Sequence, residues 1–127
     1  LYIAHPKQIR PSKELKKISN GKKNITFTQN VKQAIYNTNC IITDTWFSMG
    51  SKKSNISEQY FKRYQVNDKN TIGANPKVAF MHCLPAKRGK EVTKEIIDNK
   101  KISIVWDEAE NRLHIQKAIL EWCLKKI

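Results

Sequence analysis

Val78-Ala79-Phe80-Met81-His82-Cys83, followed by Leu84-Pro85-Ala86, is the stretch from which the fold of this chain is read. A short apolar run of this kind reads as a buried strand rather than a helix. Cys40-Ile41-Ile42-Thr43 is a second such run, compact and β-branched, and suits a buried parallel strand. Ile102-Ser103-Ile104-Val105-Trp106 reads as a third. Weaker strand signals sit at Leu1 to Ala4, where a strand ends, and at Ile25 to Thr28, which alternates apolar and polar.

Helical patterns separate these runs. Ser12 is a plausible N-cap for a helix through Ile18, with Leu15 and Ile18 on one face, closed by Asn20-Gly21. Asn30 caps a helix carrying Val31, Ala34 and Ile35. Ile56 to Tyr64 reads as helical, and Asn67-Asp68 introduces another short turn or helix. Glu91 to Ile97 turns Val92, Ile96 and Ile97 inward. A last helix runs from about Glu108 to Lys125, with Leu113, Ile115 or Ala118, Leu120, Trp122 and Leu124 in its apolar stripe. Short buried strands alternating with helices predict an α/β fold: a Rossmann-like parallel sheet with helices on both faces, joined by right-handed crossovers. In such sheets ligands sit beyond the carboxyl ends of the strands. That rule singles out Asp44 to Gly50, His82 to Arg88 and Asp107 to His114.

The chain has 127 residues, enough for one domain with one core. Its net charge of +13 invites a nucleic-acid reading. Lysine is densest from Lys7 to Lys23, with Glu14 the single acid there. Against a nucleic-acid surface, lysines are spread through most of the chain and no stacking aromatics interleave the dense stretch. No specific nucleic-acid partner is expected. The three cysteines, Cys40, Cys83 and Cys123, form no C-x-x-C pair, so neither a zinc ribbon nor a redox pair is suggested. A cytoplasmic, reducing setting is the natural expectation. No apolar run reaches the roughly 20 residues of a membrane span, and no signal peptide is read at the start. The first residue is Leu1, inside an apolar stretch, and the chain is expected to be incomplete at its N-terminus.

The three strand ends carry motifs. They are Asp44-Thr45-Trp46-Phe47-Ser48-Met49-Gly50, His82-Cys83-Leu84-Pro85-Ala86 with Arg88-Gly89 behind it, and Asp107-Glu108-Ala109-Glu110-Asn111-Arg112-Leu113-His114. In order and spacing they resemble the ornithine-binding half of the ornithine carbamoyltransferases, within the aspartate/ornithine carbamoyltransferase family. The resemblance covers nearly the whole chain. Aspartate carbamoyltransferases carry a Pro-Leu-Pro loop in place of Cys-Leu-Pro, and putrescine carbamoyltransferases lack Ser-Met-Gly. Ser48-Met49-Gly50 therefore favours an amino-acid head group.

The resemblance implies transfer of the carbamoyl group from carbamoyl phosphate to the δ-amine of L-ornithine, giving L-citrulline and phosphate. It implies that Asp44, Ser48 and Met49 bind ornithine, the carboxylate of Asp44 meeting the α-ammonium. Cys83, Leu84 and Arg112 would face carbamoyl phosphate: Leu84 through its carbonyl, Arg112 by donating to the carbamoyl oxygen as charge builds there. Asp44, Cys83 and Arg112 would be the catalytic set, with Cys83 orienting the amine rather than acting as a covalent nucleophile. No metal and no cofactor is implied. Members of the family are homotrimers, and their carbamoyl phosphate site lies mainly in a separate domain whose Ser-x-x-Thr-Arg loop has no counterpart here. The whole of residues 1–127 is thus expected to be an ornithine-binding domain, without turnover by itself.

Taken singly these residues have plainer readings. Asp44 suits a strand-end turn, Ser48 and Met49 a loop, Cys83 a small core filler, and Arg112 a solvated helix face. His82 beside Cys83 could be a zinc ligand, but no partner stands at a metal spacing. The ordered conjunction of three motifs overturns the plain readings. The competing functions are a basic nucleic-acid-binding module and an inactive remnant.

Overall fold

Ile41 lies opposite Phe80 in a parallel ladder, and the core is built around this pair. The computed structural model describes residues 1–47 and 57–125. β1 (Tyr2–Ala4) pairs parallel with β2 (Thr26–Thr28), Tyr2 opposite Thr26. β3 (Cys40–Thr43) pairs parallel with β4 (Ala79–His82), Cys40 opposite Ala79 and Thr43 opposite His82. The expected α/β arrangement of parallel strands is present. Among the described residues it takes the form of two separate two-stranded ladders. A groove of about 690 Å³ runs between them, lined by β1, α2 (Val31–Ile35), β3 and the Asp44 to Trp46 loop.

Local chemistry accounts for the element boundaries. α1 (Lys13–Ser19) begins where the Ser12 hydroxyl accepts from the Leu15 N–H at 3.1 Å. Asn30 does the same for α2, accepting from the Gln33 N–H at 3.3 Å. Asn67 caps α3 (Asp68–Thr71) through the Asn70 N–H at 2.9 Å. The stretch read as one helix over Ile56 to Tyr64 is two 3₁₀ turns, Glu58–Tyr60 and Lys62–Tyr64. Ile56 itself lies outside the described residues. Tyr64 ties the halves together: its hydroxyl is 2.7 Å from the His5 carbonyl and 3.2 Å from that of Gln29.

Three expectations need correction. The helix read from Glu91 starts later, as α4 (Lys94–Ile97), because Val92 is bridged to Val66 and Arg88 before the chain turns. The third strand, read over Ile102 to Trp106, shrinks to a single bridge between Phe80 and Ser103. Two bonds hold it, Phe80 N–H to Ile102 O and Ile104 N–H to Phe80 O, at 2.7 and 3.0 Å. α5 (Val105–Leu124) then starts at once, with Asp107 and Glu108 in its first turn, where acids complement the helix dipole. β3 is not buried throughout: Ile41 is, but Ile42 is 69% exposed on the opposite face.

Val66, Val78, Phe80, Val92, Ile96, Ile97 and Val105 form the core with Ile35 and Ile41. It lies between the β3–β4 ladder, α4 and the first turn of α5. Beyond Val105, α5 leaves Leu113, Ile115, Ile119, Leu120, Trp122 and Leu124 exposed, so the apolar stripe read from the sequence is largely uncovered. No helix among the described residues is long and apolar enough to cross a membrane.

Phe80 is 1% exposed at the centre of this core. Phe80→Ala should cost about 3–5 kcal/mol in a urea titration followed by circular dichroism. A change below ~1 kcal/mol would mean that the β3–β4 packing does not carry the fold.

Candidate functional site

The carboxyl ends of β3 and β4 are neighbours, because Thr43 pairs with His82. Asp44 and Cys83, the next residues on each strand, therefore emerge side by side. The Cys83 thiol donates to Asp44 Oδ1 at 3.3 Å. The same oxygen accepts the Thr45 N–H at 2.6 Å, which fixes the carboxylate over its own turn. Behind it, Trp46 stacks on Phe61 at 5.7 Å and Phe47 meets Phe61 edge-on at 5.6 Å. These aromatic contacts hold the loop that leaves Asp44.

α5 reaches the same point from the other side. Glu108 and Arg112 are four residues apart, so they share one helix face. Glu108 Oε2 accepts the His82 N–H at 3.0 Å, and an Arg112 Nη2–H donates to the Cys83 carbonyl at 3.4 Å. The helix thus clasps the last peptide groups of β4.

A buried pair lies beneath. His82 and Glu91 are both fully buried. His82 Nδ1 accepts the Leu84 N–H at 2.9 Å, so in the neutral ring Nε2 carries the proton. That Nε2 lies 3.5 Å from Glu91 Oε1, and the same carboxylate oxygen accepts the Lys87 N–H. Leu84 has φ 57°, a left-handed conformation unfavourable for a side chain of its size. The Leu84 N–H bond to His82 helps hold it there.

The electrostatics follow from these contacts. The Thr45 N–H, the Cys83 thiol and the nearby His82 hold the Asp44 carboxyl below its ordinary value, outweighing partial desolvation. Asp44 is therefore ionised at neutral pH. What its carboxylate stabilises is present above the ordinary carboxylate range and is lost as pH falls through the lowered value. Cys83 moves the other way. Desolvation of its sulfur comes first, then its bond to Asp44, then the charges of Asp44 and Glu108, and all raise its pKa. It stays a thiol at neutral pH, a donor rather than a nucleophile.

The sequence-expected residues divide accordingly. Asp44, Cys83 and Arg112 come together, with Leu84 beside them. Cys83 is exposed, not a core filler. Ser48 and Met49 lie outside the described residues. Three further polar residues shape the site: His82 and Glu108, which lie in the quoted motifs without having been given a role, and Glu91, which lies outside them. One donor atom each from Asp44, His82 and Cys83 lies within 4.8 Å of the others, a spacing a metal could use. In this structure Cys83 is instead bonded to Asp44, and His82 Nδ1 takes the Leu84 N–H.

A family model described as aspartate/ornithine carbamoyltransferase, Asp/Orn binding domain, matches residues 1–123. The chain belongs to that family. An ornithine carbamoyltransferase from Rhodopseudomonas palustris is 49% identical over 125 residues, covering 98% of this chain and 40% of the relative. One from Bradyrhizobium diazoefficiens is 44% identical, covering 100% of this chain and 41% of the relative. Among solved structures, the Pyrococcus furiosus ornithine carbamoyltransferase superposes with TM-score 0.80 at 37% identity, covering 94% of this chain and 40% of that one. The anabolic enzyme of Campylobacter jejuni superposes with TM-score 0.81 at 31% identity, covering 100% and 44%. The chain thus spans about 40% of the length of these carbamoyltransferases.

Asp44→Asn removes the anion that disfavours the Cys83 thiolate. Iodoacetamide should then alkylate Cys83 severalfold faster near pH 8, read by peptide mass spectrometry with Cys123 as internal reference. An unchanged Cys83 rate would break the thiol–carboxylate coupling.

Proposed function

We propose that these residues form the ornithine-binding part of an ornithine carbamoyltransferase. The single observation that carries the reading is the meeting of Asp44, Cys83 and Arg112 at one strand end. The reaction joins the δ-nitrogen of ornithine to the carbamoyl carbon. The bond from that carbon to the phosphate oxygen breaks, phosphate leaves, and the nitrogen gives up a proton.

Each residue has a physical task in this scheme. The ionised Asp44 meets the α-ammonium of ornithine in a charge-assisted bond. Ser48 and Met49 complete the grip on the amino-acid head. The δ-amine has a pKa near ~10.4 when free, so a partly desolvated site must favour its neutral form before it attacks. A neutral Cys83, donating to Asp44, keeps its sulfur lone pairs toward incoming donors and orients that amine. The Leu84 carbonyl accepts from the carbamoyl NH2. Arg112 donates to the carbamoyl oxygen, where charge accumulates as the nitrogen attacks. His82, Glu91 and Glu108 act through these groups by fixing the backbone of Cys83 and Leu84.

The phosphate of the donor is held by residues outside this 127-residue stretch, in keeping with its share of its relatives' length. The working assembly is a homotrimer in the cytoplasm. A role in arginine synthesis is favoured by the Campylobacter jejuni relative, an anabolic enzyme.

The 127 residues alone should produce no citrulline from ornithine and carbamoyl phosphate. Grafted in place of the matching segment of the Rhodopseudomonas palustris enzyme, they should restore production. Arg112→Ala in the graft should then lower kcat by about 10²–10³. A folded graft without activity, or an Arg112→Ala graft with full activity, would sink the proposal.

A further inference from the structure

We propose that Gln65 is a positioning residue, whose side-chain amide grips the loop after β4 at Gly89 and Lys90 and thereby sets Cys83 and Leu84. The proposal rests on the reading that Leu84 meets the carbamoyl group through its carbonyl. Gln65 lies outside the three strand-end motifs and is partly buried. Its Nε2 donates to the Lys90 carbonyl at 2.8 Å and to the Gly89 carbonyl at 3.1 Å. Only the NH2 end of an amide can meet two carbonyls. Its Oε1 accepts from Asn67 Nδ2 at 2.9 Å, so both ends of the group are fixed.

The loop needs such a hold. Leu84 stands at φ 57°, a conformation that persists only where the surroundings over-determine it. The Leu84 N–H is bonded to His82. Farther along, the Lys87 N–H is bonded to the Glu91 carboxylate, and the Gly89 N–H to the Val92 carbonyl at 2.8 Å. Those bonds fold the loop on itself, whereas Gln65 ties it to another part of the chain. Val66 extends the tie. Its N–H donates to the Glu91 carbonyl at 2.9 Å, and its carbonyl accepts the Thr93 N–H at 3.0 Å. Glu58 adds an ion pair with Lys90, nearly half exposed on both sides and so the weaker link.

The same segment also reaches the loop after β3. Phe61, four residues before Gln65, stacks on Trp46 and meets Phe47 edge-on. Asn70 stiffens the stretch between, its Nδ2 donating to the Gln65 carbonyl at 2.8 Å and to that of Arg63 at 3.1 Å. Residues 61–66 thus brace both strand-end loops, by ring contacts on the Asp44 side and by hydrogen bonds on the Cys83 side. Loss of the Gln65 amide frees the loop of Cys83 and Leu84 and leaves the loop of Asp44 held. Groups that face the carbamoyl donor should suffer, and the grip on the amino-acid head should not.

Amide hydrogen exchange, followed residue by residue by NMR on the 127-residue chain, tests the grip. Gln65→Leu should speed exchange at Leu84 and Lys87 by about tenfold or more. Gln65→Glu keeps the shape but turns an acceptor toward the two carbonyls, and should do the same. Tyr64→Phe removes the neighbouring hydroxyl's bonds to the His5 and Gln29 carbonyls and should leave both amides unchanged. Circular dichroism checks that each variant is folded. In the active graft, Gln65→Leu should raise the KM for carbamoyl phosphate severalfold and leave that for ornithine unchanged. Loss of folded protein would instead lower kcat and move neither KM. Unchanged exchange in both Gln65 variants, equal acceleration in Tyr64→Phe, or a Gln65→Leu graft with both KM values unchanged would overturn the proposal. Exchange needs no turnover, so it decides the grip even where an inactive parent graft sinks the proposed reaction.

Discussion

The fully buried imidazole of His82 is the constraint on which the site rests. A polar ring inside an apolar core must have its nitrogens faced by polar groups, or it destabilises the fold by about 1–3 kcal/mol. Here Nδ1 takes the Leu84 N–H, while Nε2 makes no hydrogen bond and has the Glu91 carboxylate 3.5 Å away as its polar neighbour. Those contacts oblige the chain to turn sharply after β4, so Cys83 is delivered to the surface while the residue before it stays inside. The same turn brings Lys87 back toward Glu91, closing the loop on its own carboxylate. The exposed thiol is therefore where it is because of a buried ring one residue away. The Asp44 carboxylate meets it because β3 is in parallel register with β4.

The strands at the centre of the fold were legible because their side chains are unambiguous. Cys40 to Thr43 and Val78 to Cys83 are short, apolar and flanked by polar loops, and both form strands. The caps at Ser12, Asn30 and Asn67 were equally legible, since a short polar side chain ahead of an apolar pattern has one good use. Ile102 to Trp106 misled because β-branching and alternation report preference for an extended chain, not the presence of a partner for it. Its contact with Phe80 lasts for two hydrogen bonds, and the acids at Asp107 and Glu108 favour a helix start nearby. Ile42 misled for a related reason. A β-branched residue says that a strand is present, but which face is covered depends on elements far away in sequence.

The site was legible to a different depth. Asp44, Cys83 and Arg112 could be read because each lies in a motif at the end of a run that looked like a strand. His82, Glu91 and Glu108 were harder, since their roles arise from contacts across 9 and 26 residues that leave no periodic trace. A signal for Glu91 did exist. It immediately precedes Val92 in a segment that turns inward, and an acid entering a core asks for a partner. His82, near the end of the Val78 to Cys83 run, is the polar ring that Glu91 meets.

The exposure of the three central side chains bears on how the chemistry would work. Asp44, Cys83 and Arg112 all face water in this chain. A guanidinium in water donates to a developing oxyanion at little advantage, because solvent competes for both charges. Its contribution grows when a second surface excludes that solvent, as closed active sites do. The structure brings together a donor, a thiol and a carboxylate, the groups that the proposed reaction calls on. Among the described residues, no low-dielectric wall stands opposite these three side chains. Under the proposed reaction, transition-state stabilisation would depend on a surface outside the described residues, whereas the alignment of Asp44 with Cys83 would not. Binding and catalysis should separate along that line.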